Sequence, residues 1–148
     1  MPSSSRLENY FDENISLIGT GKHEIYRNLH EFLESFKFDV KRRGKIRIEV
    51  SNLHQEEEIL NEDLVLAHGS VDFTGLFKDG STCFKTETRF TIIYKWKNGK
   101  WLVQHLHQSV PDQEQLNGEE FPLTLGKQMK KTQQALHALG TAYYHISM

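Results

Sequence analysis

The chain changes its hydrophobic period once, from a helical spacing before Gly44 to strict alternation after it. Over residues 22–36, apolar side chains recur every three or four positions and form one stripe, which predicts an amphipathic helix. Ahead of it we expect a short helix over residues 6–11 and a small strand over residues 15–18, which two glycines end. The N-terminal part is therefore predicted to be mainly helical.

After Gly44, apolar and polar residues alternate, which is the period of a half-buried strand. Residues 46–51 begin the pattern, a polar stretch over 55–63 separates it from the next strand, and residues 64–77 resume it. Strands over 82–96 and 101–110 follow, each after a tight turn that contains Asp-Gly or Asn-Gly. Long strands joined by tight turns predict an antiparallel meander.

The C-terminal part returns to a helical period from Leu123 onward. A heptad seam of seven residues is spaced alternately four and three apart: Leu125, Met129, Thr132, Leu136, Leu139, Tyr143 and Ile146. Two interpretations remain open, a terminal helix that packs back on the domain and a dimeric helix that leads to a partner domain beyond Met148. We therefore expect an α+β domain over 1–122 and a linker helix, a coiled coil in the second interpretation, over 123–148.

Composition and charge restrict the class of protein. A chain of 148 residues with nine Phe, five Tyr and two Trp is enough for one domain with a real core. A net charge of −2 argues against nucleic-acid binding, and the basic cluster at 41–43 is interpreted as a solvated turn. No apolar run approaches the ~18 residues of a membrane span, and the N-terminus lacks the apolar core of a signal peptide. With Cys83 as the single cysteine, we expect a cytoplasmic protein without a disulfide or membrane partner.

Polar side chains on the last two strands are the candidates for lining a pocket. Alternation predicts that Trp101, Val103, His105, His107 and Ser109 share one face. Such polar groups are costly to bury, so they either satisfy one another or line a wet cavity. The candidate ligand-binding residues are Glu87, Arg89, Trp101, His105, His107 and Ser109.

The roles of individual candidates remain open. The Arg89 guanidinium suits a carboxylate, which belongs either to a ligand or to Glu87 nearby. Asp72 and His107 are weak candidates for proton transfer, because a buried carboxylate beside an apolar wall has a raised pKa. Ser109 lies near His107, but no nucleophile turn presents it.

A metal site is the alternative use of the two histidines, since His105 and His107 lie two apart on a strand. A third ligand would come from another strand, with His68, Asp72 or Glu87 available. No metal-binding spacing known from other proteins is present. We expect neither a metal nor another cofactor.

Three segments carry a resemblance to a known family: FDENISLIGTG, ETRFTIIYKWKNGKW and LVQHLHQSVPDQEQLNGEEFP. The chain resembles the nuclear transport factor 2-like superfamily in its SnoaL-like (ketosteroid isomerase-like) branch, over roughly residues 6–125. The order R-x-T, a turn with Trp and then H-x-S-x-P is similar to bacterial sensory domains that precede a signalling output module. The long first helix of the family is shortened or missing here, and its ketosteroid isomerase constellation of an Asp base with a Tyr has no match.

The resemblance implies a cystatin-like, cone-shaped fold, in which a curved antiparallel sheet wraps around N-terminal helices and encloses a pocket. It also implies a homodimer through the outer face of the sheet. The expected function is a small-molecule-binding sensory domain without turnover, at the input end of a bacterial signalling protein, for a small polar or anionic organic ligand. The alternative is a small isomerase, cyclase or dehydratase that uses an Asp or a His for proton transfer.

Overall fold

In the computed structural model, which describes residues 7–121, six strands form one curved sheet and a helix packs against it. The elements are β1 (Phe11–Ile18), β2 (Ile25–Tyr26), α1 (Leu29–Arg43), β3 (Arg47–Asn61), β4 (Leu64–Leu76), β5 (Thr82–Lys97) and β6 (Lys100–Ser109). Their order across the sheet is β2-β1-β6-β5-β4-β3. The predicted α+β class and the hairpins β4–β5 and β5–β6 are confirmed, whereas β1 pairs with β6 in parallel, so the sheet is mixed.

The helix begins seven residues later than the hydrophobic stripe predicts. Ile25 and Tyr26 pair with β1 as a short strand, and the Asn28 side chain then caps α1 by accepting a hydrogen bond from the Glu31 backbone N–H at 2.9 Å. The helix continues to Arg43 and ends at Gly44, whose φ of 60° lies in the left-handed region. Near the N-terminus, Leu7 is helical, residues 8–10 form a turn and β1 begins at Phe11, so the helix predicted over 6–11 extends no further than Leu7 in the described residues.

Strand β3 extends through most of the polar stretch, residues 55–63, that was predicted to separate two strands. It runs without interruption from Arg47 to Asn61, and every residue except Ile48 is exposed. Because both faces of this edge strand meet solvent, no burial enforces an apolar alternation after Ser51. Its pairing with β4 shifts by one residue at a bulge, where Asn52 has a φ of 51°.

The core lies between α1 and one face of the sheet, which we call the inner face. Leu29 and Leu33 of α1 contact Ile15, Leu17 and Val103, and all five side chains are buried. Partly buried side chains that pack against this cluster are Leu7, Phe11, Tyr26, Phe32, Ile92, Tyr94 and Leu106. The inner face of β5 and β6 is thus the side that carries Ile92, Tyr94, Val103 and Leu106, and the opposite side is the outer face.

A buried carboxylate fastens β1 to the β5–β6 hairpin. Asp12 is 3% exposed, and its carboxylate lies 3.4 Å from the Lys97 ammonium and accepts a hydrogen bond from the Asn14 backbone N–H at 2.8 Å. The turn of this hairpin has positive φ angles at Asn98 (55°) and Gly99 (76°), as the Asn-Gly pair predicts.

A second compact unit begins at Asp112, and its described residues, 112–121, form two turns. The Asp112 carboxylate accepts a hydrogen bond from the Glu114 backbone N–H, and the Glu119 carboxylate accepts one from the Leu116 backbone N–H. The predicted linker helix over 123–148 lies outside the described residues. It therefore stays a prediction.

Candidate functional site

A bulge in β6 divides the polar face that alternation predicts. Val103 lies opposite Tyr94, but His105 lies opposite its neighbour Ile93, so Gln104 is an extra residue in the ladder. Because opposite residues share a face, Val103 points to the inner face and His105 to the outer face. The predicted common face of Trp101, Val103, His105, His107 and Ser109 is therefore wrong, since strict alternation cannot anticipate an inserted residue.

The structure separates the candidate residues into two groups. Trp101 lies on the inner face opposite Trp96, with ring centroids 5.4 Å apart, and both indoles are more than 40% exposed. The outer face carries the remaining ligand-binding candidates, Glu87, Arg89, His105, His107 and Ser109. Arg89 lies directly opposite Ser109, and both lie on the side of the sheet away from α1.

Two of the outer-face candidates already have partners within the domain. The Ser16 hydroxyl lies 2.7 Å from Nδ1 of His105 and joins β1 to β6. The Asp72 carboxylate accepts a hydrogen bond from the Asn52 side chain at 2.8 Å. Arg89, Glu87 and His107 are exposed, which gives each of them access to solvent, to a ligand or to another chain.

An open polar depression of about 560 Å³ lies on the outer face around Asp72. It is lined by Asn52, His54, Ser70, Asp72, Lys85 and Glu87. Every lining side chain is polar or charged, and no apolar wall is present to hold the body of an organic ligand. Small-molecule sites are mostly apolar with a few placed polar groups, so this depression is poorly suited to that role.

A cleft of about 510 Å³ with the opposite character lies on the inner face, between the second half of α1 and the sheet. Its lining residues are Thr20, Phe36, Asp39, Arg43, Ile48, Phe73, Phe84, Thr86, Thr88, Gln108 and Val110. They come from α1, the β1–β2 loop, strands β3 to β6 and Val110, which follows β6. The cleft therefore collects side chains from four of the six strands.

Three phenylalanine rings form the apolar walls of this inner-face cleft. Phe36 comes from α1, Phe73 from β4 and Phe84 from β5. The Phe84 ring lies over Gly75 so closely that a Cβ at that glycine would be 2.3 Å from the ring. The missing side chain at Gly75 thus leaves room for the Phe84 ring in the lining of the cleft. Ile48 and Val110 complete the apolar lining.

The polar groups of the cleft centre on Arg43. Its side chain is only 17% exposed, and its Nε lies 2.9 Å from the carboxylate of Asp39, one turn earlier on α1. Facing α1 across the cleft, the hydroxyl of Thr88 donates a hydrogen bond to the Val71 carbonyl at 3.1 Å. Thr86 and Gln108 add a second hydroxyl and an amide. The cleft thus combines one shielded cation, several hydrogen-bonding groups and apolar walls.

Except for Trp101, the ligand-binding candidates predicted from the sequence lie on two of the strands that line this cleft but on the opposite face of the sheet. Thr86, Thr88 and Gln108 alternate with the chosen candidates Glu87, Arg89 and Ser109. The basic cluster at 41–43 was interpreted as a solvated turn, yet Arg43 is the half-buried last residue of α1. The helical spacing of Phe36, Asp39 and Arg43, which lie three and four residues apart, is the signal that was available.

Residues 7–121 contain no group of three or more His, Cys, Asp or Glu side chains placed to hold a metal ion. The pair His105 and His107 gains no third ligand from His68, Asp72 or Glu87 in this part of the chain. In the same range, no helix is both long and apolar enough to cross a membrane.

The mixed curved sheet with one helix over a cleft defines a cystatin-like α+β domain. A family profile for the SnoaL-like domain matches residues 3–113, so the chain belongs to the SnoaL-like family, within the nuclear transport factor 2-like superfamily. The resemblance seen in the sequence is thereby confirmed. No curated protein matches the chain.

Solved structures with similar folds are found at low sequence identity. An association domain assigned to a calcium/calmodulin dependent protein kinase II, from Xanthomonas campestris, is 18% identical, covers 75% of this chain and 76% of its own, and superposes with a TM-score of 0.63. A nuclear transport factor 2-like protein from Salmonella enterica is also 18% identical, at 80% and 83% coverage and a TM-score of 0.63. A cystatin-like protein from Caulobacter vibrioides is 15% identical, at 79% and 82% coverage and a TM-score of 0.59. These similarities establish the fold alone.

Proposed function

We propose that this protein binds a small organic molecule with a negatively charged group and an apolar body in the inner-face cleft, without turnover. The observation that carries the proposal is Arg43, a cation with a side chain only 17% exposed, at a cleft with aromatic walls. A ligand carboxylate would meet the guanidinium, and the ligand's apolar part would lie among Phe36, Phe73 and Phe84. This is the combination typical of small-molecule sites.

The position of Asp39 is compatible with an anionic ligand. Its carboxylate orients the Arg43 guanidinium, but its side chain is 60% exposed, so water and salt screen its negative charge. Arg43 is shielded much more, and the field it projects into the cleft is therefore screened less than that of Asp39. Hydrogen bonds between an ionised donor and an ionised acceptor are roughly twice as strong as neutral ones, which favours a carboxylate over an alcohol.

The outer-face candidates offer an alternative site for the proposed ligand. Arg89 and Ser109 lie opposite each other there, with His107 two residues before Ser109 on β6. A carboxylate could meet Arg89 at this surface, although no aromatic wall of the described residues accompanies it. We therefore rank this site below the cleft and test both together.

The wider role that we propose is that of a sensory input domain in a cytoplasmic bacterial signalling protein. Its SnoaL-like family membership supports ligand binding as the role. We also propose that it is a homodimer through the outer face of the sheet, where Arg89 and His107 are exposed. Its similarity to an association domain supports self-assembly.

The alternative function, a small isomerase, cyclase or dehydratase, would use the outer face. Asp72 and His107, its proton-transfer candidates, both lie there and not in the inner-face cleft. Turnover of an enolisable carbonyl compound that is lost in Asp72→Asn or His107→Ala would favour this alternative over the binding role.

Isothermal titration with 4-phenylbutyrate and with its neutral analogue 4-phenylbutan-1-ol tests the binding proposal. We expect the acid to bind the wild-type protein at least about tenfold more tightly, because an ionic hydrogen bond contributes roughly 1.5–3 kcal/mol. Arg89→Ala and His107→Ala should bind the acid as the wild type does. Equal affinity for the two compounds, or loss of binding in Arg89→Ala, would contradict the assignment to the cleft.

A further inference from the structure

The free edge of β3 is a long template for another strand. β3 is the last strand of the sheet, and β4 pairs along nearly the whole of its other edge. No described residue pairs with the free edge, so a row of backbone N–H and C=O groups points outward from it. We propose that this edge pairs with the same edge of a second copy of the chain, in antiparallel orientation across a two-fold axis.

The bulge in β3 determines which residues of the two copies can lie opposite each other. Ser51 pairs with Asp72 and His54 pairs with Ser70, so β3 advances three residues while β4 moves back two. Arg47 and Ser51 before the bulge, and His54 and Glu56 after it, consequently all lie on the outer face. Opposite residues in an antiparallel pair share a face. A residue before the bulge therefore lies opposite a residue after it only in registers that place two side chains of the same face opposite each other.

One of these registers is complementary in charge. If Ser51 lies opposite Asn52 at the two-fold axis, Arg47 lies opposite Glu56 and Glu49 lies opposite His54. Symmetry repeats both pairs, so four favourable cross-strand contacts form. Moving the register by one step in one direction places Glu49 opposite Glu56, and moving it in the other direction places Arg47 opposite the imidazole of His54, so neither step keeps Arg47 opposite Glu56. Like charges directly opposite each other destabilise a sheet, so the first register is preferred.

The same register covers exposed apolar side chains. Val50 and Leu53 are each 60% exposed in the single chain. They lie opposite each other twice beside the axis, once in each half of the interface. Removing apolar side chains from water favours association. Charged pairs at the ends and apolar pairs at the centre thus give the edge a self-complementary pattern.

Features that protect a sheet edge from other strands do not prevent this pairing. The bulge and the run Glu56-Glu57-Glu58 act against an unrelated strand, because the run needs a basic side chain opposite it. A second copy supplies Arg47 at that place. Arg47 now lies 3.2 Å from Glu49, and His68 lies 3.7 Å from Glu56, but both contacts are exposed and exchange at little cost.

Charge reversal followed by measurement of mass tests this interface. The variants are Arg47→Glu, Glu56→Arg and the double variant, compared with the wild-type chain by sedimentation equilibrium over a range of concentrations. We expect each single variant to halve the mass of the assembly, or to raise its dissociation constant at least about tenfold. The reason is that each substitution creates two like-charge contacts across the interface. The double variant should restore the wild-type mass. Where the outer-face dimer also forms, the single variants should fall to the mass of that dimer instead of to the mass of the monomer.

Glu62→Arg is the matched control, because it makes the same change of charge outside the paired residues. It should leave the mass unchanged. Equal masses for the wild type and both single variants, or a double variant that stays dissociated, would overturn the proposal. If the wild type has the same mass as the single variants and its β3 amides nevertheless resist hydrogen exchange, another segment of the same chain covers the edge.

Discussion

Replacing Gly69 with alanine is expected to lower the free energy of unfolding by about 3 kcal/mol. A Cβ at Gly69 would be 1.8 Å from the His54 carbonyl oxygen and 2.8 Å from its carbon, and both atoms belong to the backbone of β3. Relief would require the two strands to separate at the bulge. In an unstrained position the same substitution stabilises by only about 0.4–1 kcal/mol, because it restricts the unfolded chain. The clash therefore outweighs this gain.

Urea unfolding of Gly69→Ala beside Ser70→Ala measures the effect. Ser70 is the next residue on β4 and pairs with His54, but its side chain points to the outer face, where it lines the open polar depression. It should change the free energy of unfolding by about 0.5 kcal/mol or less. Equal stability of the two variants would mean that the bulge is not packed as described, and the register of the β3 edge would fail with it.

Arg43→Gln is expected to weaken binding of 4-phenylbutyrate about 10- to 100-fold while leaving 4-phenylbutan-1-ol within about threefold. The substitution keeps a long polar side chain and removes the charge. Loss of a hydrogen bond between two ionised groups costs about 1.5–3 kcal/mol, which corresponds to this range. The alcohol keeps the same apolar contacts with Phe36, Phe73 and Phe84, so its affinity reports the shape of the cleft.

Arg42→Gln is the control for the charge itself. Arg42 precedes Arg43 in the last turn of α1 and has the same formal charge, but it is exposed and does not line the cleft. We expect it to bind both compounds with nearly wild-type affinity. A similar loss in Arg42→Gln and Arg43→Gln would indicate a diffuse electrostatic attraction in place of a contact in the cleft.

The hairpins show how much of the fold the sequence determines locally. Asn98-Gly99 and Asp79-Gly80 supply the backbone conformations that tight turns require, and the flanking strands follow from alternation. The start of α1 was harder to predict, because Ile25 and Tyr26 continue the apolar stripe of the helix although they pair with β1. The hydrophobic period cannot distinguish those two uses of an apolar residue.

The candidate site depended on events that alternation does not record. The extra residue Gln104 reverses the face of every later residue in β6, and the bulge at Asn52 does the same in β3. Both bulges were invisible in a pattern of apolar and polar residues. Arg43 was identifiable only once α1 was known to extend to the end of the basic cluster. Family resemblance, in contrast, was carried by whole segments and did not depend on any single register.

The location of a bound acid tests the central claim most directly. Intermolecular nuclear Overhauser effects from the phenyl protons of 4-phenylbutyrate can be observed at methyl groups on each face of the sheet. We predict contacts with the methyl groups of Ile48, Thr86 and Val110, which line the inner-face cleft. Contacts with Ile93 and the His107 ring on the outer face, without any in the cleft, would contradict the account.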